Sequence, residues 1–119
     1  MSNENDDEPI RGSGDFLKDM GYDNPDEMRI KFALANAVAL AIEDAGLTQQ
    51  KAALLMGLQQ SDVSRIVNGV VKDYSVFRLM NGLACLGKDI AIGVSDSASE
   101  RGEIVAVFEE PEQSHAMAP

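Results

Sequence analysis

Gly57 sits inside the stretch LTQQKAALLMGLQQSDVSRIVNG, residues 47–69, and no other residue constrains the fold so strongly. Apolar residues flank it at helical spacing, with Ala52 and Met56 before it and Leu58, Val63 and Ile66 after it. A glycine between two such runs predicts a turn of three or four residues at positive φ, a conformation that residues with a Cβ resist. Two short helices joined in this way cross at roughly 90–120°. Ala53 is small where the second rod must pass over the first, and Met56, Leu58, Val63 and Ile66 form the wedge that fixes the crossing. Gln60, Ser61, Asp62, Ser64 and Arg65 are left pointing outward from the rod after the turn. They are short or polar, which suits the floor of a groove.

The flanking sequence supplies the rest of a helical domain. Asn24-Pro25-Asp26-Glu27 reads as a helix start, with an Asn cap, proline in the first turn and acids at the positive end of the dipole. The helix that follows has an apolar stripe at Ile30, Leu34, Val38, Ala41, Ile42 and Ala45, and Gly46 closes it. Thr48 caps a second helix through Met56, and a third runs from Gln60 to Val67, stopping at Asn68-Gly69. Ser75 caps a fourth through Val76, Leu79, Met80, Leu83 and Leu86, with Gly87 as its stop. Before all of these, Phe16, Leu17 and Met20 predict one short helical turn over 15–21.

After Lys88 the period changes. Residues 89–94 and 103–108 alternate as strands do, with the polar stretch 95–102 as a long hairpin loop. Two strands alone are marginal in water, so this ribbon should pack on helices or pair with a second chain. The predicted architecture is mostly α: a four-to-five-helix helix-turn-helix domain over 15–88, then a C-terminal β-strand or hairpin over 89–108 as the dimerisation element. Residues 1–14 read as a disordered acidic segment and 109–119 as a loose tail.

Composition excludes several classes. The 119 residues suffice for one small domain, and the apolar share of 45% is ordinary for a globular protein. No apolar run reaches bilayer length and the first residues lack a signal layout, so no membrane is expected and the cytoplasm is the expected compartment. Cys85 is the only cysteine, within the run Leu83-Ala84-Cys85-Leu86, and is expected to be a buried thiol. His115, the only histidine, lies in the tail. No catalytic Ser/His/Asp or Cys/His set can form, no phosphate-binding loop is present, and Gly12-Ser13-Gly14 reads as a hinge. The expectation is a protein without catalysis, metal or cofactor.

Charge is unevenly placed. The net charge of −10 is the sum of an acidic start, a mildly basic middle and an acidic end. Residues 1–27 carry −7, residues 28–88 carry +3 and residues 89–119 carry −6. The helical part is therefore the part that a polyanion would tolerate.

Those residues also carry a resemblance. LTQQKAALLMGLQQSDVSRIVNG is similar to the helix-turn-helix of the lambda-repressor/Cro (XRE) family, with Gln60-Ser61, Val63 and Asn68-Gly69 in matching places. The wider frame resembles the HigA-type antitoxin branch of that family. The matching features are the Gly12–Gly21 opening, the fourth helix at Tyr74-Ser75-Val76-Phe77-Arg78-Leu79, and the strand after Leu86-Gly87. The resemblance implies that Gln49 bonds a phosphate and braces Gln60, and that Gln60 lays its amide on an adenine edge. Ser61 would touch a neighbouring base, while Asn68 and the amides near Gly69 would hold phosphate. Ser64 shares that outer face. Arg65 and Lys72 are the nearest cations for phosphate or guanine. Asp62 departs from the pattern: it repels phosphate or accepts from a cytosine amino group.

The resulting expectation is a dimeric, sequence-specific repressor of double-stranded DNA, of antitoxin type, with a basic RNA-cleaving toxin as possible second partner. Two alternatives remain. One is a stand-alone or phage-type repressor without a toxin, and the other is an interaction module that has lost DNA binding.

Overall fold

The computed structural model describes residues 24–108, and four helices form among them: α1 (Pro25–Asp44), α2 (Gln49–Met56), α3 (Gln60–Val67) and α4 (Val76–Cys85). The turn expected over 15–21 and the two outer tails lie outside these residues. Three helix starts are fixed by side chains that satisfy an otherwise orphaned amide. Asn24 Oδ1 accepts from the Glu27 amide at 3.4 Å, Thr48 Oγ1 from Lys51 at 3.0 Å, and Ser75 Oγ from Arg78 at 3.0 Å.

All four helices end in the same closure. A glycine amide bonds back three residues while the next amide bonds back five, as in Gly46 to Glu43 and Leu47 to Ile42. At the turn between α2 and α3 the pair is Gly57 to Leu54 and Leu58 to Ala53. Gly57 adopts φ 69° and ψ 34°, the left-handed region. A Cβ there would meet nothing within 4 Å, so the demand for glycine comes from the backbone angle alone.

Packing follows from the buried stripes. α1 lies against α3 and α4, and α2 bridges the same two helices. The largest fully buried side chains are Val38, Val63, Ile66, Val71 and Leu79, from α1, α3, the following loop and α4. Burying a side chain of this size stabilises by about 1.5–3 kcal/mol. Ala52 and Ala53 are buried where α3 crosses α2, as the sequence requires. Gly82 has a different use: a Cβ on it would come within 2.7 Å of Met56 Cε, so the Met56 side chain of α2 packs directly on the α4 backbone.

Several sequence expectations are corrected. The buried stripe of α1 includes Met28, Lys31 and Ala35, whereas Ala45 is exposed beyond the last turn. Lys31 is only 6% exposed. Its Nζ donates to the Lys72 carbonyl at 2.9 Å and pairs with Glu27 at 3.2 Å, pinning the loop after α3 to α1. Cys85 is exposed, because Leu79, Gly82 and Leu83 set the inner face of α4 and residue 85 falls off it.

No strand forms among the described residues, so 89–94 and 103–108 are not paired in the single chain. Ile90, Ile92, Val94, Ile104, Val105, Val107 and Phe108 all stay exposed. A strand exists only with a neighbour to take its amides and carbonyls, and these two segments do not serve each other. Arg101 in this arm reaches Asp26 at the start of α1, 3.7 Å away. None of the described helices is long and apolar enough to cross a membrane.

Candidate nucleic-acid interface

Val63 and Ile66 anchor α3 from below, at 0% and 1% exposure. The opposite side of this two-turn rod must then face outward. Gln60, Ser61, Arg65 and Asn68 are exposed there, with Ser64 half-buried among them. Gln60 and Ser61 lie at the N-terminal end, immediately after the Gly57 turn. Gln49 is half-buried at the start of α2, and Lys72 is exposed in the loop after α3. Among the described residues no hydrogen bond joins Gln49 to Gln60.

Two of the expected phosphate ligands are already engaged. Asn68 Nδ2 donates to the Ser64 carbonyl at 2.8 Å, which leaves one amide hydrogen of that side chain for another acceptor. The Gly69 and Val70 amides donate to Ile66 and Arg65 carbonyls at 3.0 and 2.8 Å. They close the helix, so the expectation that amides near Gly69 receive phosphate does not hold in this conformation.

Asp62 sits differently from its outward neighbours. Its Oδ2 accepts from the Gln59 amide at 3.2 Å, the acid half of a capping box that starts α3. Its Oδ1 accepts from the Tyr74 hydroxyl at 2.6 Å, and Arg65 Nη1 stands 3.4 Å away. The Tyr74 hydroxyl first, then the Gln59 amide, hold the carboxyl below its ordinary value of 3.8. Both bonds favour the ionised form.

A depressed folded-state pKa gives stability that is complete above the ordinary value and is lost as pH falls through the folded one. Asp62→Asn should therefore unfold at lower urea than the wild type at neutral pH. The gap between the two midpoints should close as pH is lowered below 3.8, and a gap that persists into strong acid would show that ionisation of Asp62 is not its cause.

Two further residues belong here that the sequence reading left unassigned. Tyr74 is 5% exposed, and the guanidinium of Arg78 lies over its ring, 4.9 Å from the centroid. With Arg65 and Lys72 they line a cleft beside α3. A signal for Tyr74 was available, since it precedes the Ser75 cap. An apolar residue there commonly packs on the fourth residue of the helix, here Leu79, and both are in the core.

Comparison with known proteins agrees with this geometry. A family model described as a helix-turn-helix domain matches residues 16–95. A solved structure described as "Putative XRE Family Transcriptional Regulator" is 31% identical, with a TM-score of 0.65 over 71% of this chain and 97% of that one. Among curated proteins none matches. The chain belongs to the XRE-type helix-turn-helix family.

Proposed function

We propose that the protein is a sequence-specific DNA-binding transcriptional regulator that inserts α3 into the major groove. The observation that carries this reading is the exposure of Gln60 and Ser61 at the N-terminal end of α3, directly after the Gly57 turn. Recognition helices of this class read bases from that end. The description of the 31%-identical relative as a transcriptional regulator supports the same reading. Gln60 offers one donor and one acceptor in a plane, which matches an adenine edge. Ser61 and Ser64 floor the groove, while Gln49, Arg65, Asn68 and Lys72 contact the backbone.

The protein acts as a homodimer, with residues 89–108 as the joint. Seven large apolar side chains in that arm are exposed in the single chain, and strand pairing across a two-fold axis would cover them. Two copies of α3 would then reach half-sites about 34–36 Å apart.

The finer assignment is an autorepressing antitoxin. It rests on the HigA-like frame of residues 12–94 and on the charge of −7 over residues 1–27, which suits a basic RNA-cleaving toxin. A footprint on the DNA upstream of the protein's own gene, with and without the product of a small basic neighbouring frame, tests both levels. No protection would remove the regulator reading; protection unchanged by the neighbour would remove the antitoxin reading alone. Gln60→Ala should relax selection at one base pair and cost about 1–3 kcal/mol of binding, and unchanged operator affinity would unseat Gln60 as the reader.

A further inference from the structure

An aspartate on a helix that faces DNA has the wrong sign of charge, and the surroundings of Asp62 suggest how that is managed. Its oxygens take the Tyr74 hydroxyl at 2.6 Å and the Gln59 amide at 3.2 Å, and Arg65 closes on it from 3.4 Å. The Tyr74 bond is short because its acceptor is ionised. The side chain of Asp62 is only 18% exposed. A cytosine amino group needs an outward lone pair, and this carboxylate spends its best-placed ones inward.

Tyr74 is the fixed point of the group. Its ring is buried to 5% exposure, its hydroxyl holds Asp62, and its face carries Arg78 at 4.9 Å. Its hydroxyl also lies 3.5 Å from Arg65 Nη1. One buried side chain from the loop thus organises an acid on α3 and a guanidinium on each of α3 and α4.

We infer that Tyr74 is a positioning residue, and that Asp62 is the charge it holds away from the DNA. The Tyr74 hydroxyl turns the Asp62 carboxylate back against the protein, so that a DNA backbone phosphate meets the cations Arg65 and Arg78 beside it and not the acid. Asp62 touches no base. This rests on the reading of α3 as the DNA-contacting helix.

The test is a cycle of Tyr74→Phe, Asp62→Asn and the double variant, with anisotropy titrations on the protein's own upstream DNA and unfolding midpoints for each. Tyr74→Phe frees the carboxylate to face phosphate and should weaken binding about tenfold. Asp62→Asn still accepts from Gln59 without carrying charge, and should bind at least as tightly as the wild type with the same base preference. In the double variant no charge remains to be freed, so binding should return to within about twofold of Asp62→Asn.

Equal binding by Tyr74→Phe and wild type would overturn the inference. So would failure of the double variant to recover, since the loss would then be one of packing. If Tyr74→Phe does not fold, Asp62→Asn decides alone, and lost preference at a C·G pair makes Asp62 a reader instead. If the wild type binds no DNA, the proposed function falls and the inference with it; if the wild type binds and the cycle fails, only the inference falls.

Discussion

Replacing Ile66 with alanine should lower the thermal midpoint by roughly 10–25 °C, from a loss of about 3 kcal/mol. Ile66 is 1% exposed and stands on the inner face of α3 beside Val63, where α3 meets α1 and α2. Removing three carbons there leaves a hole that two-turn helices cannot close without changing their crossing angle. The cost therefore includes a cavity contribution in addition to lost burial. A domain of this size is stable by only about 5–15 kcal/mol, so the change consumes a large share. Ser61→Ala, on the outer face of the same helix, should move stability by no more than about 0.5 kcal/mol. Calorimetry of the two variants checks the assignment of faces. A midpoint for Ile66→Ala within a few degrees of the wild type would mean that α3 is not anchored there.

A chain ended at Lys88 should stay folded yet bind its operator about a hundredfold more weakly. The buried core runs from Met28 to Leu83, and Leu86 is the last apolar residue packed on it, so shortening the chain there removes no core side chain. The deleted arm is the proposed joint between protomers. Without it each recognition helix binds a half-site independently, and the advantage of a tethered second contact disappears. Sedimentation should show a monomer with an unchanged far-ultraviolet spectrum. A dimer that survives the truncation would place the joint elsewhere on the helices.

The helices were legible because their signals are local. Asn24, Thr48 and Ser75 cap as their positions suggest, and Gly46, Gly57, Gly69 and Gly87 each sit at positive φ past a helix end. Val63 and Ile66 were readable as the buried pair of α3 from spacing alone. Asp62 was not: its main partner, Tyr74, is twelve residues away, and only the fold brings that hydroxyl to it. Its sequence neighbourhood showed only a charge among outward residues.

Lys31 was not singled out by the sequence, for a related reason. It lies on the buried stripe of α1, but its partner is a backbone carbonyl in the loop after α3, which no pattern of side chains reveals. The alternation in 89–108 suggested strands, but none forms among the described residues, where the two segments do not pair with each other. Cys85 shows the limit of reading burial from an apolar run, since the inner face of α4 is set by Leu79, Gly82 and Leu83 and residue 85 lies off it.

The inward bond of Lys31 has a consequence for how the protein meets a polyanion. A cation held by Glu27 and a carbonyl displaces no counterions from DNA, and Arg65 shares its charge with Asp62. The salt dependence of binding should then report the cations beside α3, Arg65, Lys72 and Arg78, and be indifferent to Lys31.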